Sequence, residues 1–166
     1  MDDLRILPVT NEELILNVAT MAEEILHEYF PALISEEQID YMLEKFLSFD
    51  SIFEQIQNGY EYFLLIHDYT FAGFAGVHEE NGSLFLSKLY IHKDFRGNGI
   101  SSKVMKNLIE LCKVRSLDKI WLTCNRGNES ALAIYKHFGF IQTREQVSDI
   151  GGGFVMDDYI LEYPVK

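Results

Sequence analysis

Basic residues are scarce in this sequence. Its 14 lysines and arginines stand against 26 aspartates and glutamates, which gives a formal net charge of −12 at pH 7. A chain of this charge repels the phosphates of nucleic acids, so we expect no nucleic-acid partner. The same acidity is compatible with cationic acceptors such as polyamines or lysine-like amines, although solubility alone also explains an acidic surface.

Cysteines and long apolar runs are also few. Cys112 and Cys124 are the two cysteines, and their spacing is that of neither a metal site nor a redox pair, so we predict buried, unreactive thiols. No apolar run approaches the roughly 20 residues that span a bilayer. The start, Met1-Asp2-Asp3, lacks the layout of a signal peptide. We therefore expect a cytoplasmic protein with no membrane partner.

Several common catalytic motifs are missing. The sequence contains no Walker A loop, no His-Glu-x-x-His and no Gly-x-Ser-x-Gly, and its five histidines are scattered. These absences argue against a P-loop nucleotide-binding protein and a hydrolase with a nucleophile elbow, and we predict no metal site.

The chain of 166 residues, 48% of them apolar, is long enough for one domain with a substantial core, and we predict a single domain over 1–166. Thr10 followed by Glu13, and Ser35 followed by Gln38, match the capping-box pattern at two helix starts. Hydrophobic periodicity predicts strands at 4–9, 60–67, 71–78, 84–91, 119–124, 140–147 and 154–163, and helices from 10 to about 28, from 35, and at 51–57, 98–115 and 128–138.

This order predicts an α/β fold built on a mixed sheet. The strands from 60 to 91 form an antiparallel meander, and the strands at 84–91 and 119–124, joined by a helix, form a parallel pair with a right-handed crossover. The sheet is thus mostly antiparallel with a central parallel strand pair and helices on both faces. Ligands usually bind beyond the carboxyl ends of such strands.

A glycine-rich turn follows the strand at 84–91. Gly97 and Gly99 lie where a backbone must approach a ligand closely, and a helix opens directly after them. Backbone N–H groups and the positive end of the helix dipole at such a turn suit a phosphate or pyrophosphate. A dinucleotide fingerprint would need a third glycine, but Ser102 stands at that position.

A second pattern lies further along the chain. Asn128 and Tyr135 are two helical turns apart and fall on one face of a predicted helix, which ends at Gly139-Phe140. Together with Arg96-Gly97-Asn98-Gly99-Ile100-Ser101, this pattern resembles the acyl-CoA site of the GNAT superfamily of N-acetyltransferases. The superfamily pattern is Arg/Gln-x-x-Gly-x-Gly/Ala, and Ser101 departs from it at the last position. The stretch from Lys119-Ile120-Trp121-Leu122 through Phe140-Ile141-Gln142-Thr143 is similar to bacterial polyamine (spermidine/spermine) acetyltransferases.

The resemblance implies acetyl-CoA as co-substrate and a role for each matching residue. Asn128 would bind the pantetheine arm, and Tyr135 would lie near the sulfur, bind the cofactor and protonate the departing thiolate. A phenol of pKa about 10 is chemically suited to that proton transfer. The turn would cradle the CoA pyrophosphate and the strand before it would offer backbone groups to the pantetheine arm; these residues are Arg96, Gly97, Asn98, Gly99, Ile100, Ser101 and Ser102 for the turn and Leu89, Tyr90 and Ile91 for the strand.

The general base stays open at the sequence level. An alkyl amine has a pKa near 10.4, and forming the neutral amine at pH 7 costs about 4–5 kcal/mol. Many relatives carry a glutamate on the central strand, but 84–89 contains none. The candidates are His78, Glu79, Glu80, Asp157 and Asp158, with a chain of water molecules as the default.

These patterns predict an acetyl-CoA-dependent N-acetyltransferase that acts by direct transfer to a primary amine. The acceptor class is a small cationic molecule, with polyamines first. A protein N-terminal or lysine acetyltransferase shares the same helix and is the alternative. A non-catalytic acyl-CoA-binding sensor is a second alternative, although it would have no use for Tyr135. A homodimer is possible, since relatives of this superfamily often form one.

Overall fold

The computed structural model describes residues 4–166; Met1–Asp3, on which the expectation about a leader rests, lie outside the described residues. In the described part, no helix combines the length and the apolar composition that crossing a membrane requires. The strands are β1 (Leu4–Pro8), β2 (Glu61–His67), β3 (Thr70–Glu80), β4 (Ser83–Ile91), β5 (Lys119–Asn125), β6 (Ile141–Gly151) and β7 (Phe154–Pro164). The helices are α1 (Glu12–Tyr29), α2 (Glu36–Phe46), α3 (Phe49–Gln57), α4 (Ile100–Val114) and α5 (Glu129–Phe138).

The strands of the described chain form a mixed sheet in the order β1-β2-β3-β4-β5-β7-β6. Antiparallel pairing joins β1 to β2, β2 to β3, β5 to β7 and β6 to β7. β4 and β5 pair in parallel, with Leu84 opposite Ile120 and Phe85 opposite Trp121. The predicted fold class, a mostly antiparallel α/β sheet with one parallel pair, is therefore confirmed.

The chain folds as two compact units. Unit 1 contains the residues up to His78 together with Lys88–Val104, and unit 2 contains Glu79–Ser87 and Met105–Lys166. The single domain over 1–166 stays a prediction, and each unit is described by itself.

Unit 1 is built around the apolar face of α1. This face buries Val18, Ala22 and Leu26 completely, at the spacing that aligns side chains along one side of a helix. Leu64 of β2 and Phe74 of β3 belong to the same core cluster. A Cβ at Gly73 of β3 would collide with the carbonyl oxygen of Tyr90 in β4, so only glycine allows the two backbones to lie this close.

Side-chain caps start the first three helices. Asn11 caps α1, because its Oδ1 accepts a hydrogen bond from the N–H of Leu14 at 2.9 Å; the prediction that Thr10 is the cap is therefore wrong by one residue. The cap at Ser35 is confirmed by the hydrogen bond from Gln38 N–H to its Oγ at 3.1 Å. Ser48 caps α3, so this helix begins two residues before the predicted start at Ser51.

Unit 2 packs α4 and α5 with the second half of the sheet. The α4 residues Met105, Leu108 and Cys112 are buried, and so are Ile120 and Leu122 of β5. Gly139 ends α5 with a φ of +126°, as predicted, and Tyr163 of β7 lies in an aromatic cluster with Phe138 and Phe140 at centroid distances of 5.6 and 5.5 Å.

Three glycines, Gly151-Gly152-Gly153, form the connection between β6 and β7. All three glycines have positive φ angles, of 90°, 62° and 82°. Such a run is open only to glycine at little cost.

Candidate active site

The glycine-rich turn between β4 and α4 lies in unit 1. Gly97 and Gly99 have φ angles of +82° and +73°, and a Cβ at either position would meet nothing within 4 Å. The backbone of this turn is therefore open on the side of the missing side chains. α4 begins at Ile100, later than the predicted start at Asn98, because a helix cannot continue through the left-handed Gly99. The first N–H groups of α4 have no partner within the helix and point out of its N-terminus.

The side chains of the turn divide into anchors and exposed groups. Ile100 is 2% exposed, so it fixes the start of α4 and presents its backbone rather than its side chain. Asn98 is exposed, and its Nδ2 donates to the carbonyl oxygen of Phe95 at 3.0 Å. Ser101 and Ser102 are partly buried in the first turn of α4.

Arg96 directs its guanidinium toward α1. Its Nη2 donates to Glu28 Oε1 at 2.6 Å, and its Nε donates to the carbonyl oxygen of Ile91 at 3.0 Å. The guanidinium also lies 5.0 Å from the centre of the Tyr29 ring. The hydrogen bond from Arg96 lowers the pKa of the Glu28 carboxyl. Through these contacts the Arg96 side chain holds the turn against α1. A contact of Arg96 with a pyrophosphate stays a prediction.

A second contact with α1 holds the segment between β4 and the glycine-rich turn. His92 Nε2 lies 2.8 Å from Glu24 Oε1, and the N–H of Asp94 donates to His92 Nδ1 at 3.2 Å. Since Nδ1 accepts, the ring proton is on Nε2 and is donated to Glu24. Sequence reasoning missed Glu24 and Glu28; their spacing of one helical turn on α1 was the available signal.

The predicted pantetheine strand also lies in unit 1. Leu89, Tyr90 and Ile91 are partly buried at the end of β4. The Tyr90 ring packs on Phe30 and Phe74, with centroid distances of 5.9 and 5.5 Å. The segment therefore has a fixed position next to the turn.

Lys88, just before this segment, is a residue that sequence reasoning missed. It is partly buried on β4, and its Nζ lies 5.6 and 5.5 Å from the ring centres of Tyr60 and Tyr62. Nζ also donates to Gln55 Oε1 at 3.3 Å. Burial lowers the pKa of the ammonium group to about 8. A cation thus lies on β4, the strand where the resemblance implied a glutamate as base.

Asn128 and Tyr135 lie on α5 in unit 2. Asn128 is buried and caps α5, since its Oδ1 accepts from the N–H of Ala131 at 3.3 Å. Tyr135 is partly buried, with the edge of its ring on Phe140 at a centroid distance of 5.4 Å. The spacing of two helical turns puts both residues on one side of α5. Their contacts with a cofactor stay predictions.

Most candidate bases have structural partners. His78 stacks on Tyr60 at 4.5 Å, and Glu79 pairs with Arg115 at 2.8 Å. Asp157 accepts hydrogen bonds from Arg126 at 3.1 to 3.2 Å. These pairs tie the groups to the fold.

Asp158 differs from the other candidates. It is 5% exposed, and its Oδ1 has no hydrogen-bond partner among the described residues. Burial, and next the negative charge of Asp157, raise the pKa of this carboxyl to about 6. The cysteines are buried as predicted, and burial raises the pKa of the Cys112 thiol to about 11 and that of Cys124 to about 12, so neither is an activated nucleophile.

Comparison with known proteins decides the family. The family model described as acetyltransferase (GNAT) family matches residues 20–140. The chain belongs to the acetyltransferase (GNAT) family. This match includes the turn after β4 and the whole of α5, and the resemblance seen in the sequence is thereby confirmed. Enzymes of this family use acetyl-CoA as co-substrate.

Relatives within the family differ in their acceptors. The chain is 27% identical over 87 residues to a Bacillus subtilis (strain 168) protein assigned as a ribosomal protein bS18-alanine N-acetyltransferase; the match covers 52% of this chain and 58% of that protein. It is 31% identical over 62 residues to the spermine/spermidine N(1)-acetyltransferase of the same strain, a match of 37% of this chain and 41% of that protein. The matches thus cover about half of these relatives' lengths.

Solved GNAT structures share the fold. The PaiA N-acetyltransferase of Thermoplasma acidophilum, solved with coenzyme A, superposes with a TM-score of 0.79 at 18% identity and covers 99% of both chains. A GNAT-family acetyltransferase of Staphylococcus aureus Mu50 gives a TM-score of 0.72 at 21% identity, over 98% of this chain and 99% of that chain. At these identities the similarity concerns the fold alone.

Proposed function

We propose that this protein is an acetyl-CoA-dependent N-acetyltransferase that transfers the acetyl group directly to a primary amine of a small cationic molecule such as a polyamine. The observation that carries the proposal is the turn between β4 and α4. Gly97 and Gly99 are left-handed and open, and the N-terminus of α4 follows directly, in a chain of the GNAT family. Such a turn suits the pyrophosphate of acetyl-CoA.

The cofactor is bound by backbone groups more than by side chains. In this proposal the turn from Arg96 to Ser102 holds the pyrophosphate, and Leu89–Ile91 hold the pantetheine arm through their backbone. Asn128 binds the same arm. Arg96 itself acts through its anchor on Glu28, which keeps the turn in its open shape.

Tyr135 is the proposed general acid. Acetyl transfer forms a bond between the amine nitrogen and the acetyl carbon and breaks the bond between that carbon and sulfur. The departing thiolate takes the phenolic proton of Tyr135, which is a suitable donor because its usual pKa is about 10. Direct transfer needs the amine and acetyl-CoA on the enzyme together.

The net charge of −12 and the similarity to a spermine/spermidine N(1)-acetyltransferase favour a polyamine as acceptor. The relative that is assigned to a ribosomal protein alanine favours a protein N-terminus instead, which is the alternative. A non-catalytic acyl-CoA sensor is the second alternative. In each case no nucleic acid or membrane takes part, and a homodimer is compatible with the proposal.

The test measures thiol release from acetyl-CoA with spermidine, spermine, amino acids and short peptides that begin with alanine. We expect turnover with a polyamine and at least a tenfold lower kcat in Tyr135→Phe, with acetyl-CoA still bound. Tyr69→Phe is the matched control, because Tyr69 is 82% exposed in the β2–β3 turn.

The other outcomes separate the alternatives. Turnover of peptides alone would favour the protein acetyltransferase. Tight binding of acetyl-CoA without turnover of any amine would favour the sensor. Failure to bind acetyl-CoA would contradict the proposal as a whole.

A further inference from the structure

Asp158 is the buried charged group that the proposed mechanism leaves without a task. Its side chain is 5% exposed, and its Oδ1 has no hydrogen-bond partner in the described residues. A carboxylate in such a position is costly unless it gains a proton or a cationic partner. A buried carboxyl group without its hydrogen bonds therefore points to a missing ligand.

The cations near Asp158 are engaged by its neighbours. Arg126 donates to both oxygens of Asp157 at 3.1 to 3.2 Å. It also donates to Glu145 Oε1 at 3.2 Å and to the hydroxyl of Tyr159 at 3.0 Å. Arg126 thus serves the two exposed acids on β7 and β6, and Asp158 retains an unbalanced negative charge.

The residues that pair with Asp158 on the two neighbouring strands supply no cation. The basic residues of these strands lie elsewhere in the register, Lys119 opposite Pro164 and Arg144 opposite Ile160. Asp158 pairs with Asn125 of β5 and with Gln146 of β6, so the three residues form a row across the sheet. The Oδ1 of Asn125 accepts from Gly127 N–H at 2.8 Å, and the Nε2 of Gln146 donates to Ser148 at 2.6 Å. The other titratable neighbour is the Cys124 thiol, whose raised pKa, about 12, keeps it neutral.

The location of Asp158 is that of a ligand-binding group. Asn125, its partner in register, is the last residue of β5, the strand that pairs in parallel with β4. In sheets of this kind ligands bind beyond the carboxyl ends of the parallel strands. Three residues later Asn128 caps α5, the helix that carries Tyr135. Asp158 therefore lies beside the carboxyl end of β5, where ligands of such sheets usually bind.

We propose that Asp158 binds the ammonium group of the acceptor and takes the proton that this group must lose before it attacks acetyl-CoA. The inference rests on the proposed function. An ammonium ion supplies what the carboxylate lacks, namely a cation and a hydrogen-bond donor for Oδ1. A buried carboxylate, whose pKa is raised, accepts a proton more readily than an exposed carboxylate of ordinary pKa.

The protons balance in this scheme. The ammonium loses one proton to Asp158, and the neutral nitrogen then bonds to the acetyl carbon as the carbon–sulfur bond breaks. The nitrogen releases its second proton to solvent, the thiolate gains one from Tyr135, and the Tyr135 phenolate takes one back from solvent. The proton on Asp158 passes to solvent. The net products are the N-acetyl amine, CoA thiol and one proton.

The test compares wild type with Asp158→Asn, Asp158→Glu and Asp149→Asn, using spermidine and acetyl-CoA from pH 5 to 9. For wild type we expect kcat/KM to fall below an apparent pKa of about 6. Asp158→Asn should lower kcat/KM at least tenfold, lose this acidic limb, and bind acetyl-CoA within twofold of wild type. Asp158→Glu should restore part of the activity together with the limb. Asp149→Asn, the matched control, replaces an exposed acid on β6 and keeps the Oδ1 that accepts from Gly151 N–H; it should stay within threefold of wild type.

Two results would overturn the inference and leave the proposed function intact. One is a kcat/KM of Asp158→Asn within threefold of wild type, and the other is an acidic limb that survives in this variant. If Asp158→Asn does not fold, as judged by thermal unfolding, the wild-type profile decides, since the inference fails when kcat/KM has no limb near pH 6. A wild type that acetylates none of the amines while it binds acetyl-CoA contradicts the proposed function, and this inference falls with it.

Discussion

Lys88 lies in an unusual environment for a lysine, within unit 1. A lysine that is partly buried over two tyrosine rings gives up much of its hydration. Burial lowers the pKa of its ammonium group to about 8, so the folded state favours the neutral form. Between about pH 8 and pH 10.5 the unfolded chain binds more protons at this site, and stability therefore rises with pH there.

We expect Lys88→Met to reveal the free energy that wild type loses by burying the charged ammonium group of Lys88. Below pH 8 the variant should be more stable than wild type, because it removes a poorly hydrated charge. Between pH 8 and 10.5 the wild-type free energy of unfolding should rise relative to the variant by about 1–3 kcal/mol. Urea unfolding at a series of pH values measures the difference.

Lys45→Met is the matched control, because exposed Lys45 also lies over a ring, that of Tyr41, at 5.5 Å. It should give no comparable trend with pH. A difference between Lys88→Met and wild type that stays constant from pH 7 to 10.5 would show that Lys88 is ordinarily hydrated.

Single residues also mark what a sequence can and cannot reveal. The cap at Ser35 was predictable because the acceptor and the N–H it serves are three residues apart. The desolvation of Lys88 was not, because it depends on Gln55, on Tyr60 and on Tyr62 of β2, all distant from it in sequence. Asp158 could be named only as one of several acids, since its burial and its orphaned oxygen follow from strand pairing.

At the level of elements, two carboxylates of α1 hold the segment that leads into the turn after β4. Glu28 binds Arg96 and Glu24 binds His92, at 2.6 and 2.8 Å. Both acids are at least a third exposed, so their worth for global stability is small. Their consequence is geometric, since they fix the segment that leads into Gly97 and Gly99.

We expect Glu28→Gln and Arg96→Gln each to raise the KM for acetyl-CoA about three- to tenfold with little change in kcat, because the turn loses its anchor. The double variant should have the same KM as Arg96→Gln alone, since Arg96→Gln already removes the contact that Glu28→Gln removes. Steady-state kinetics at saturating amine measures this. Glu23→Gln, an exposed acid on the same helix, is the control. Fully additive effects of the two substitutions on KM would refute the coupling.

The boundaries of elements were predictable where local chemistry sets them. The antiparallel pairing of β2 with β3, the parallel pairing of β4 with β5 and the end of α5 at Gly139 follow from periodicity and turn residues. The start of α4 was predicted two residues early, because the pattern of side chains does not reveal that Gly99 is left-handed at +73°. α3 begins two residues before its predicted start because Ser48 is the cap. The hydroxyl of Ser51, where the start was predicted, instead donates to the carbonyl oxygen of Lys45.

For the whole molecule, an acidic protein must bind an anionic cofactor. A net charge of −12 opposes a pyrophosphate at long range, so attraction has to be local. In the proposed function, backbone N–H groups and the dipole of α4 provide this attraction within a few ångströms. The family could be recognised from the sequence because this device is local, while the acceptor could not, because its site depends on residues far apart in the chain.

The central claim, that the turn from Arg96 to Ser102 binds acetyl-CoA, is tested most directly by calorimetric titration of acetyl-CoA into wild type, Gly99→Val and Gly82→Val. Both glycines have positive φ angles, of 73° and 80°, with open space around them, so the two variants carry similar strain. We expect wild type and Gly82→Val to bind with micromolar Kd, and Gly99→Val to bind at least tenfold more weakly. Equal affinity of all three proteins, or no binding by wild type at millimolar acetyl-CoA, would contradict the account.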